Sequence, residues 1–294
     1  MLVQGVLMGV AMGFLQFPAM ASVSQYFEKK RAAALGIAIS GSSIGGIVMP
    51  IAVSKMLNSS SLGFGWMVRI MGFLMIPFMA FSLVVVRPRL PPQTTSLWMP
   101  SAFRNANFVL IVISVFFVFI GMFMPIIFLP TYAVSRGMGA TLAGYLPAIL
   151  NAASTFGRII PGVLADKYGR LNMYAIGSFT TSVVIFCMDS TKNNAAIIAY
   201  AAVYGFISGT IISGASVSII GCAPDPRTIG TYSGMGLALG AVGALIGPPI
   251  DGAFVSHYVG FFEAAMFSGA MCLFGACVIL MAKIASPQGL FSLS

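Results

Sequence analysis

The chain has 294 residues, of which 59% are hydrophobic and only 7% are charged, whereas about 25% of the residues in a soluble domain are charged. This composition excludes a water-soluble protein and favours one that lies in a lipid bilayer. The net charge of +9 comes from basic residues scattered between apolar runs, which argues against nucleic-acid binding. With one histidine, six acidic residues and no CxxC pair, the chain has too few groups for a metal site, a cofactor site or a membrane enzyme.

Apolar runs follow one another along the chain, and each has about the 20 residues that a helix needs to cross a bilayer. They predict an all-α membrane protein with about nine transmembrane helices. The predicted spans are roughly 1–24, 33–56, 65–86, 107–132, 139–163, 171–189, 194–221, 229–255 and 260–283. The first run lacks a basic start and exceeds the apolar core of a signal peptide, so we interpret it as a true span that begins abruptly.

Lysine and arginine in the breaks between spans predict the orientation, because short cytoplasmic loops are rich in them. If the break at Glu28-Lys29-Lys30-Arg31 is cytoplasmic, alternation places four further basic segments on the same side. Those segments carry Arg87, Arg89, Arg104, Lys167, Arg170, Arg227 and Lys283. The opposite side holds Lys55, Arg69, Arg136 and Lys192. We therefore predict a multi-pass protein with a cytoplasmic C-terminus, and we favour the plasma membrane over the vacuole.

The longest break, at about 87–106, is rich in proline and polar residues, as is typical of a linker. It predicts three spans at 1–86, a cytoplasmic linker at 87–106 and a six-helix bundle at 107–294. A weak internal echo crosses this division. A Gly-rich helix ending near Pro50 and another ending at Pro248-Pro249 follow similar segments and face the membrane the same way. Parallel repeats of this kind are typical of transporters.

The most specific segment runs from Gly157 to Arg170 and has the spacing GxxxDKxGR, starting at Gly162. Gly162 permits a close approach of helices, and Gly169 can take a positive φ in a turn. Asp166 falls where the helix meets the cytoplasm, followed by Lys167 and Arg170. A carboxylate there can face the positive N-terminal end of another helix, or an arginine on it. The alternative is a basic cytoplasmic loop with one incidental aspartate.

Arg158 lies well inside an apolar run, about 12 Å along the helix from Asp166. A charged residue at such a depth indicates a function by default. Asn151, Ser154 and Arg158 are spaced three and four apart, so they are expected to share one helix face along a water-filled path. Gln16 lies in the middle of the first run and is a further candidate. The alternative is that Arg158 snorkels toward the inner interface and pairs with protein carbonyls.

Two acidic residues, Asp251 and Glu263, lie near the predicted outer ends of their helices. We expect capping and surface roles for them. Ion or proton coupling is the alternative for both.

Three segments resemble sequences of known carriers. The segment Gly157–Arg170 resembles the loop motif that major facilitator transporters carry between their second and third helices and again between their eighth and ninth. Tyr26–Ser42 resembles the fifth-helix signature of the monocarboxylate transporter family, and Gly247–Gly252 resembles its eleventh helix. The matches fall in family order over nearly the whole chain. The resemblance implies a major facilitator fold whose spans equal helices 4–12 of a twelve-helix carrier, with the first three helices lacking.

The resemblance also implies a function, namely a secondary transporter that moves a small organic solute by alternating access, with a monocarboxylate as the substrate at family level. It implies that Arg158 holds the substrate carboxylate. It further implies that Asp166 locks a cytoplasmic gate against the start of the helix at 31–56, where Arg31 is one candidate partner. The lipid bilayer and a small organic anion or metabolite are the expected partners. The alternatives are an exporter of a secondary metabolite and a truncated fragment that does not transport.

Two departures from the family pattern bear on coupling. Animal members of the monocarboxylate transporter family carry an aspartate linked to proton coupling one turn before the arginine, where this chain has Ser154. A serine cannot take up and release a proton at working pH, so protons stay open as a partner. The family's first helix, which carries a lysine needed for anion binding, has no counterpart in the sequence.

Overall fold

The computed structural model of the chain describes residues 3–59, 63–87, 89 and 98–285. These residues form ten α-helices and no strand. The helices are α1 (Met8–Tyr26, continuing a π-helical start at Val3–Leu7), α2 (Arg31–Ser59), α3 (Gly63–Val85), α4 (Ala106–Ser135), α5 (Ala140–Ala143), α6 (Leu146–Tyr168), α7 (Arg170–Phe186), α8 (Asn194–Ile220), α9 (Ile229–Tyr258) and α10 (Phe262–Ala285).

The predicted all-α membrane architecture is confirmed. Within the described ranges, eight helical segments are long and apolar enough to cross a bilayer, with α5 and α6 counted as one segment. The one predicted span outside these eight segments is 171–189, which corresponds to α7, a helix of 17 residues. At 1.5 Å per residue it is about 25 Å long, at the short end of the range for a spanning helix.

The predicted linker at 87–106 includes residues 88 and 90–97, which lie outside the described residues. Its described end carries a 3₁₀ turn at Pro100–Arg104. Asn105 follows this turn and caps α4, because its side chain accepts a 3.0 Å hydrogen bond from the amide of Asn107. The assignment of 1–86 and 107–294 to two helix groups stays a prediction.

The larger of two buried clusters lies among the helices from α4 to α10, and the smaller one joins α1 and α2 to α6, α8 and α9. The largest fully buried side chains of the larger cluster include Tyr132, Tyr174, Tyr204 and Phe108. In contrast, α3 buries only Met67, and apolar side chains such as Leu83 are largely exposed. Lipid, rather than water, suits such a surface.

Glycines set the closest crossings inside this core. A Cβ on Gly157 of α6 would collide with the backbone carbonyl of Phe206 on α8. Likewise, a Cβ on Gly243 of α9 would collide with the carbonyl of Phe116 on α4. Small residues allow this backbone-to-backbone packing in membranes. As a result, α6 is held firmly against α8, and its other side is free to pack along α2, which positions the candidate site.

Gly243→Ala is expected to lower stability by about 1–3 kcal/mol, because the added methyl must push the α4 backbone away. Gly234→Ala is the matched control on the same helix, since nothing lies within 4 Å of a Cβ built at Gly234. The control should be neutral or slightly stabilising, because alanine favours helix over glycine. Melting curves of the two purified variants in detergent would check this. Equal melting temperatures would contradict the assigned α4–α9 crossing.

Candidate functional site

The carboxylate of Asp166, at the last turn of α6, caps the first turn of α2. Its Oδ1 accepts a 3.0 Å hydrogen bond from the amide of Ala32, and its Oδ2 accepts a 2.9 Å bond from the amide of Ala33. The first amides of a helix have no partner within the helix, and they carry the positive end of its dipole. Hydrogen bonds to an ionised acceptor are stronger than neutral ones. Asp166 therefore joins α6 to α2 at this end.

Glycines bring the two helices close enough for this contact. A Cβ on Gly162 would lie 2.9 Å from the carbonyl oxygen of Ala32. A Cβ on Gly36 of α2 would collide with the carbonyl of Arg158 on α6. Gly169, which ends α6, has a φ of 94°, a conformation that glycine adopts without strain. The turn after Asp166 therefore depends on glycine at this position.

Asp166 contacts the predicted start of α2 through the amides of Ala32 and Ala33, and not through the side chain of Arg31, the candidate arginine there. The Nε of Arg31 donates to the carbonyl of Phe27 at 3.2 Å. Across the described part of the chain, the ion pair within 4 Å is Arg136–Asp189, elsewhere in the fold. The start of α2 supplies its own unpaired amides nearer to the carboxylate than the arginine side chain, which turns back along the chain.

The other two basic residues of the motif face different partners. The ammonium of Lys167 lies 5.2 Å from the ring centre of Tyr168. Nη1 of Arg170 would lie 3.2 Å from a Cβ on Gly221, just after the C-terminal end of α8. A cation there interacts favourably with the negative end of the helix dipole. The motif thus links α6 to the end of α8 as well as to the start of α2.

Arg158 lies deeper along the same interface and is only 6% exposed. Its Nη1 donates to the carbonyl of Ile39 at 2.8 Å and to the hydroxyl of Ser42, both on α2. Its Nε has no partner. These acceptors are neutral, and no carboxylate of the described residues lies within ion-pair distance. A buried cation without an anion is unfavourable, so the guanidinium retains capacity for an anionic or strongly accepting oxygen.

The predicted polar stripe on α6 divides between two neighbours. Asn151 packs against Gly46 of α2 and donates to the carbonyl of Pro147 at 2.9 Å. The hydroxyl of Ser154 instead would lie 3.0 Å from a Cβ on Gly209 of α8. Seven residues nearly complete two turns, so positions 151 and 158 align, whereas position 154 lies about 60° round the helix from 151. With helices packed tightly on both sides, that angle sends Ser154 to α8.

Gln16 is not part of this interface in the structure. It is exposed on α1, and its Nε2 lies 3.9 Å from the sulfur of Met20 on the same helix.

At the other end of α2, a cavity of about 250 Å³ lies between α2 and the segment of α5 and Tyr145 that precedes α6. It lies beyond the Gly46–Asn151 contact, and Lys55 supplies its positive charge. The lining residues are Pro50, Ile51, Ser54, Lys55, Ala140, Thr141, Gly144 and Tyr145. The pair is therefore in contact at the Asp166 end, and a cavity lies beside α2 at the Lys55 end.

Sequence reasoning missed the α2 partners of Arg158 and misjudged Asp251. The run of hydroxyls around Ser42 is a signal for the former, since serine often bonds across membrane helices. Asp251 was expected in a capping or surface role, but it is completely buried in the structure. Its position inside an apolar run after Gly247-Pro-Pro-Ile was the available signal.

The chain is similar to known proteins over nearly its whole length. The family model of the Major Facilitator Superfamily matches residues 1–248 and 159–289. The "Aspyridones efflux protein apdF" of Emericella nidulans is 46% identical over 98% of this chain, which spans 59% of that relative's length. The "MFS-type transporter pynF" of Aspergillus niger is 35% identical over 98% of this chain and 67% of its own. The "Agnestins efflux protein AgnL12" of Paecilomyces divaricatus is 33% identical over 98% of this chain and 66% of its own.

A solved structure shows the same fold. The crystal structure of the major facilitator transporter FucP in the outward conformation superposes with a TM-score of 0.69 at 13% identity, covering 91% of this chain and 72% of that chain. At that identity the likeness concerns the fold alone. The family match and the three relatives extend over nearly the whole chain. The chain belongs to the Major Facilitator Superfamily, a family of membrane transporters.

Proposed function

We propose that this protein is a secondary carrier that exports a secondary metabolite by alternating access. The observation that carries the proposal is Arg158, a buried guanidinium whose acceptors are a neutral carbonyl and a hydroxyl. A solute with an anionic or strongly accepting oxygen can replace Ile39 and Ser42 as the acceptor. The printed names of two relatives, which are efflux proteins for aspyridones and agnestins, support the export direction and the substrate class.

The two ends of the α2–α6 pair supply the gates of this proposal. The Asp166 bonds to Ala32 and Ala33 close one end, and the cavity beside Lys55 opens the other. With the orientation predicted from the basic residues, the closed end is cytoplasmic and this state faces outward. Transport then requires Asp166 to leave the amides of α2 so that solute can enter from the cytoplasm.

A monocarboxylate is the second candidate substrate. The guanidinium of Arg158, which has no anionic partner among the described residues, favours it, because a carboxylate matches the planar fork of arginine. The sequence resemblance to the monocarboxylate transporter family also supports it. The two candidates differ in the size of the solute and in the expected direction of transport.

Efflux from yeast cells that express the protein would separate the candidates. Cells are preloaded with a panel of labelled secondary metabolites, or with labelled acetate, pyruvate and lactate. We expect expression to raise the efflux rate of at least one metabolite several-fold over vector-only cells, while the three acids leave at the control rate. Faster movement of the acids alone would favour the second candidate. No change in either panel, with the protein present in the membrane, would contradict both and favour a chain that does not transport.

A further inference from the structure

Asp251 differs from every other acidic residue of the protein. The chain has six acidic residues, all of them described, and Asp251 is the one that is buried, with 0% of its surface exposed. Its Oδ1 accepts a 2.6 Å hydrogen bond from the hydroxyl of Ser268 on α10. Its Oδ2 is buried and has no hydrogen-bond partner. The carboxyl group is thus half satisfied in the interior of the helix bundle.

The groups around Asp251 offer no positive charge. The titratable side chains that interact with it are Tyr204 from α8 and Cys272 from α10. The hydroxyl of Tyr204 is already bonded to the carbonyl of Met122, and the thiol of Cys272 to the carbonyl of Val118 at 3.4 Å.

The remaining helices packed on α9 do not change this. Neither α1 nor α4 contains a lysine, arginine, histidine, aspartate or glutamate. On α9 itself, His257 is exposed and lies six residues away, round the helix from Asp251. Across the described ranges, the ion pair within 4 Å is Arg136–Asp189, which involves none of these groups. An isolated ionised carboxylate in such surroundings is strongly unfavourable, which favours the protonated form of the carboxyl group.

We infer that Asp251 is a proton-binding site that couples transport to a proton gradient; this inference rests on the proposed function. The proton adds to Oδ2 from water on one side of the membrane and returns to water on the other side, with no other bond made or broken. In the state described here, the proton is held in the bundle interior. An ionisable residue inside the membrane commonly marks such a relay.

The location of Asp251 ties proton binding to helix movement. Gly247 lies one turn before it, and a Cβ there would collide with the carbonyl of Ile120 on α4. The α4–α9 crossing is therefore tight beside the carboxyl, and water can reach Oδ2 only when neighbouring helices shift. The hydroxyl of Ser154 on α6 does not titrate at working pH and cannot perform this role, whereas the carboxyl of Asp251 can.

Infrared difference spectroscopy of the purified protein across a pH titration tests the inference without any substrate. We expect the band of a protonated carboxyl group at neutral pH, its loss in Asp251→Asn, and its retention in Glu263→Gln. Glu263 is the matched control because it is acidic and lies at the start of α10, partly exposed. A wild-type protein without that band at neutral pH, or an Asp251→Asn variant that keeps it, would overturn the inference.

Transport in proteoliposomes supplies the second readout, using a metabolite identified in the efflux panel. In Asp251→Asn, the stimulation of transport by a pH gradient is expected to be at least tenfold smaller than in the wild type. Solute counterflow should persist, because it needs no net proton movement. Asp251→Glu, which keeps the carboxyl, should retain the stimulation and guards against a folding defect in the asparagine variant. Undiminished gradient-driven transport by Asp251→Asn would overturn the proton site alone. Absence of counterflow in the wild type would overturn the proposed function, whatever the infrared result.

Discussion

Arg158→Ala is expected to reduce transport by at least about 30-fold while the amount of protein in the membrane stays normal. Truncating one partner of a buried, hydrogen-bonded charge pair typically costs about 2–5 kcal/mol, and 2 kcal/mol corresponds to about 30-fold. The loss arises because the solute's oxygen group then has no cation to replace Ile39 and Ser42. Initial rates of efflux of the metabolite found in the panel, normalised to surface protein, measure the effect.

Two controls separate a substrate role of Arg158 from a purely structural bridge to α2. Ser42→Ala removes one of the two α2 acceptors of Arg158 but leaves the charge in place. It should lower transport by no more than about 13-fold, since the net value of one hydrogen bond is about 0.5–1.5 kcal/mol. Arg158→Lys keeps the charge but loses the planar fork and should be intermediate. Equal losses in Ser42→Ala and Arg158→Ala would assign the arginine to the bridge and remove it from the substrate site.

Asp166→Asn is expected to open the closed end of the α2–α6 pair. Asparagine has one oxygen acceptor and no charge, so it can satisfy only one of the amides of Ala32 and Ala33. Loss of one charge-assisted hydrogen bond is worth about 1.5–3 kcal/mol, which shifts the balance between closed and open states by roughly 10- to 150-fold. A cysteine introduced at Ala165, which is buried beside this contact, should react faster with a membrane-impermeant maleimide in inside-out vesicles.

The labelling experiment uses a background in which the four native cysteines are replaced by serine. Asp189→Asn is the matched control, because Asp189 pairs with Arg136 in a partly exposed position after α7. Ion pairs at such positions contribute about 0–1 kcal/mol, so labelling at position 165 should not change. Unchanged labelling in Asp166→Asn itself would show that its two hydrogen bonds do not hold this end closed.

Composition and run length were sufficient to predict the helices, because lipid leaves few alternatives to an internally bonded helix. Their ends were less accurate: α2 was predicted to start at 33 and end at 56, whereas it runs from Arg31 to Ser59. Polar residues at a membrane face do not interrupt backbone hydrogen bonding, so hydropathy underestimates such ends. The short α7 shows the opposite error, since the predicted end at 189 includes a 3₁₀ turn at Met188–Ser190.

The contacts of the candidate site could be predicted only where the backbone of a neighbouring helix determines the partner. The start of a helix attracts a carboxylate whatever its sequence, so the neighbourhood of Asp166 followed from its motif. The partner of Arg31 could not be predicted in this way, because a long side chain has several acceptors in reach. Its Nε donates to the carbonyl of Phe27. Arg158 finds Ile39, which lies 119 residues away in sequence, and no periodicity within one helix can reveal such a pairing.

The burial of Asp251 could not be predicted from the sequence. Its position in the chain indicates its approximate depth in the membrane, but not which side of α9 packs against α10. That choice depends on the glycines that press α9 against α4, and it decides whether the carboxyl meets Ser268 or the lipid. The resemblance to the monocarboxylate transporter family, and the lack of its first three helices, stay predictions.

The contact between Gly46 and Asn151 divides α2 into two segments of unequal length. About 21 Å of helix separates this contact from Ala32, and about 14 Å separates it from Lys55, at 1.5 Å per residue. If α2 tilts as a rigid rod about this contact, a movement of its Ala32 end by about 5 Å moves its Lys55 end by about 3 Å in the opposite direction. One rotation thus pulls the helix off Asp166 and narrows the opposite cavity. A larger side chain at position 46 would block this rotation and therefore affect both ends of α2 together.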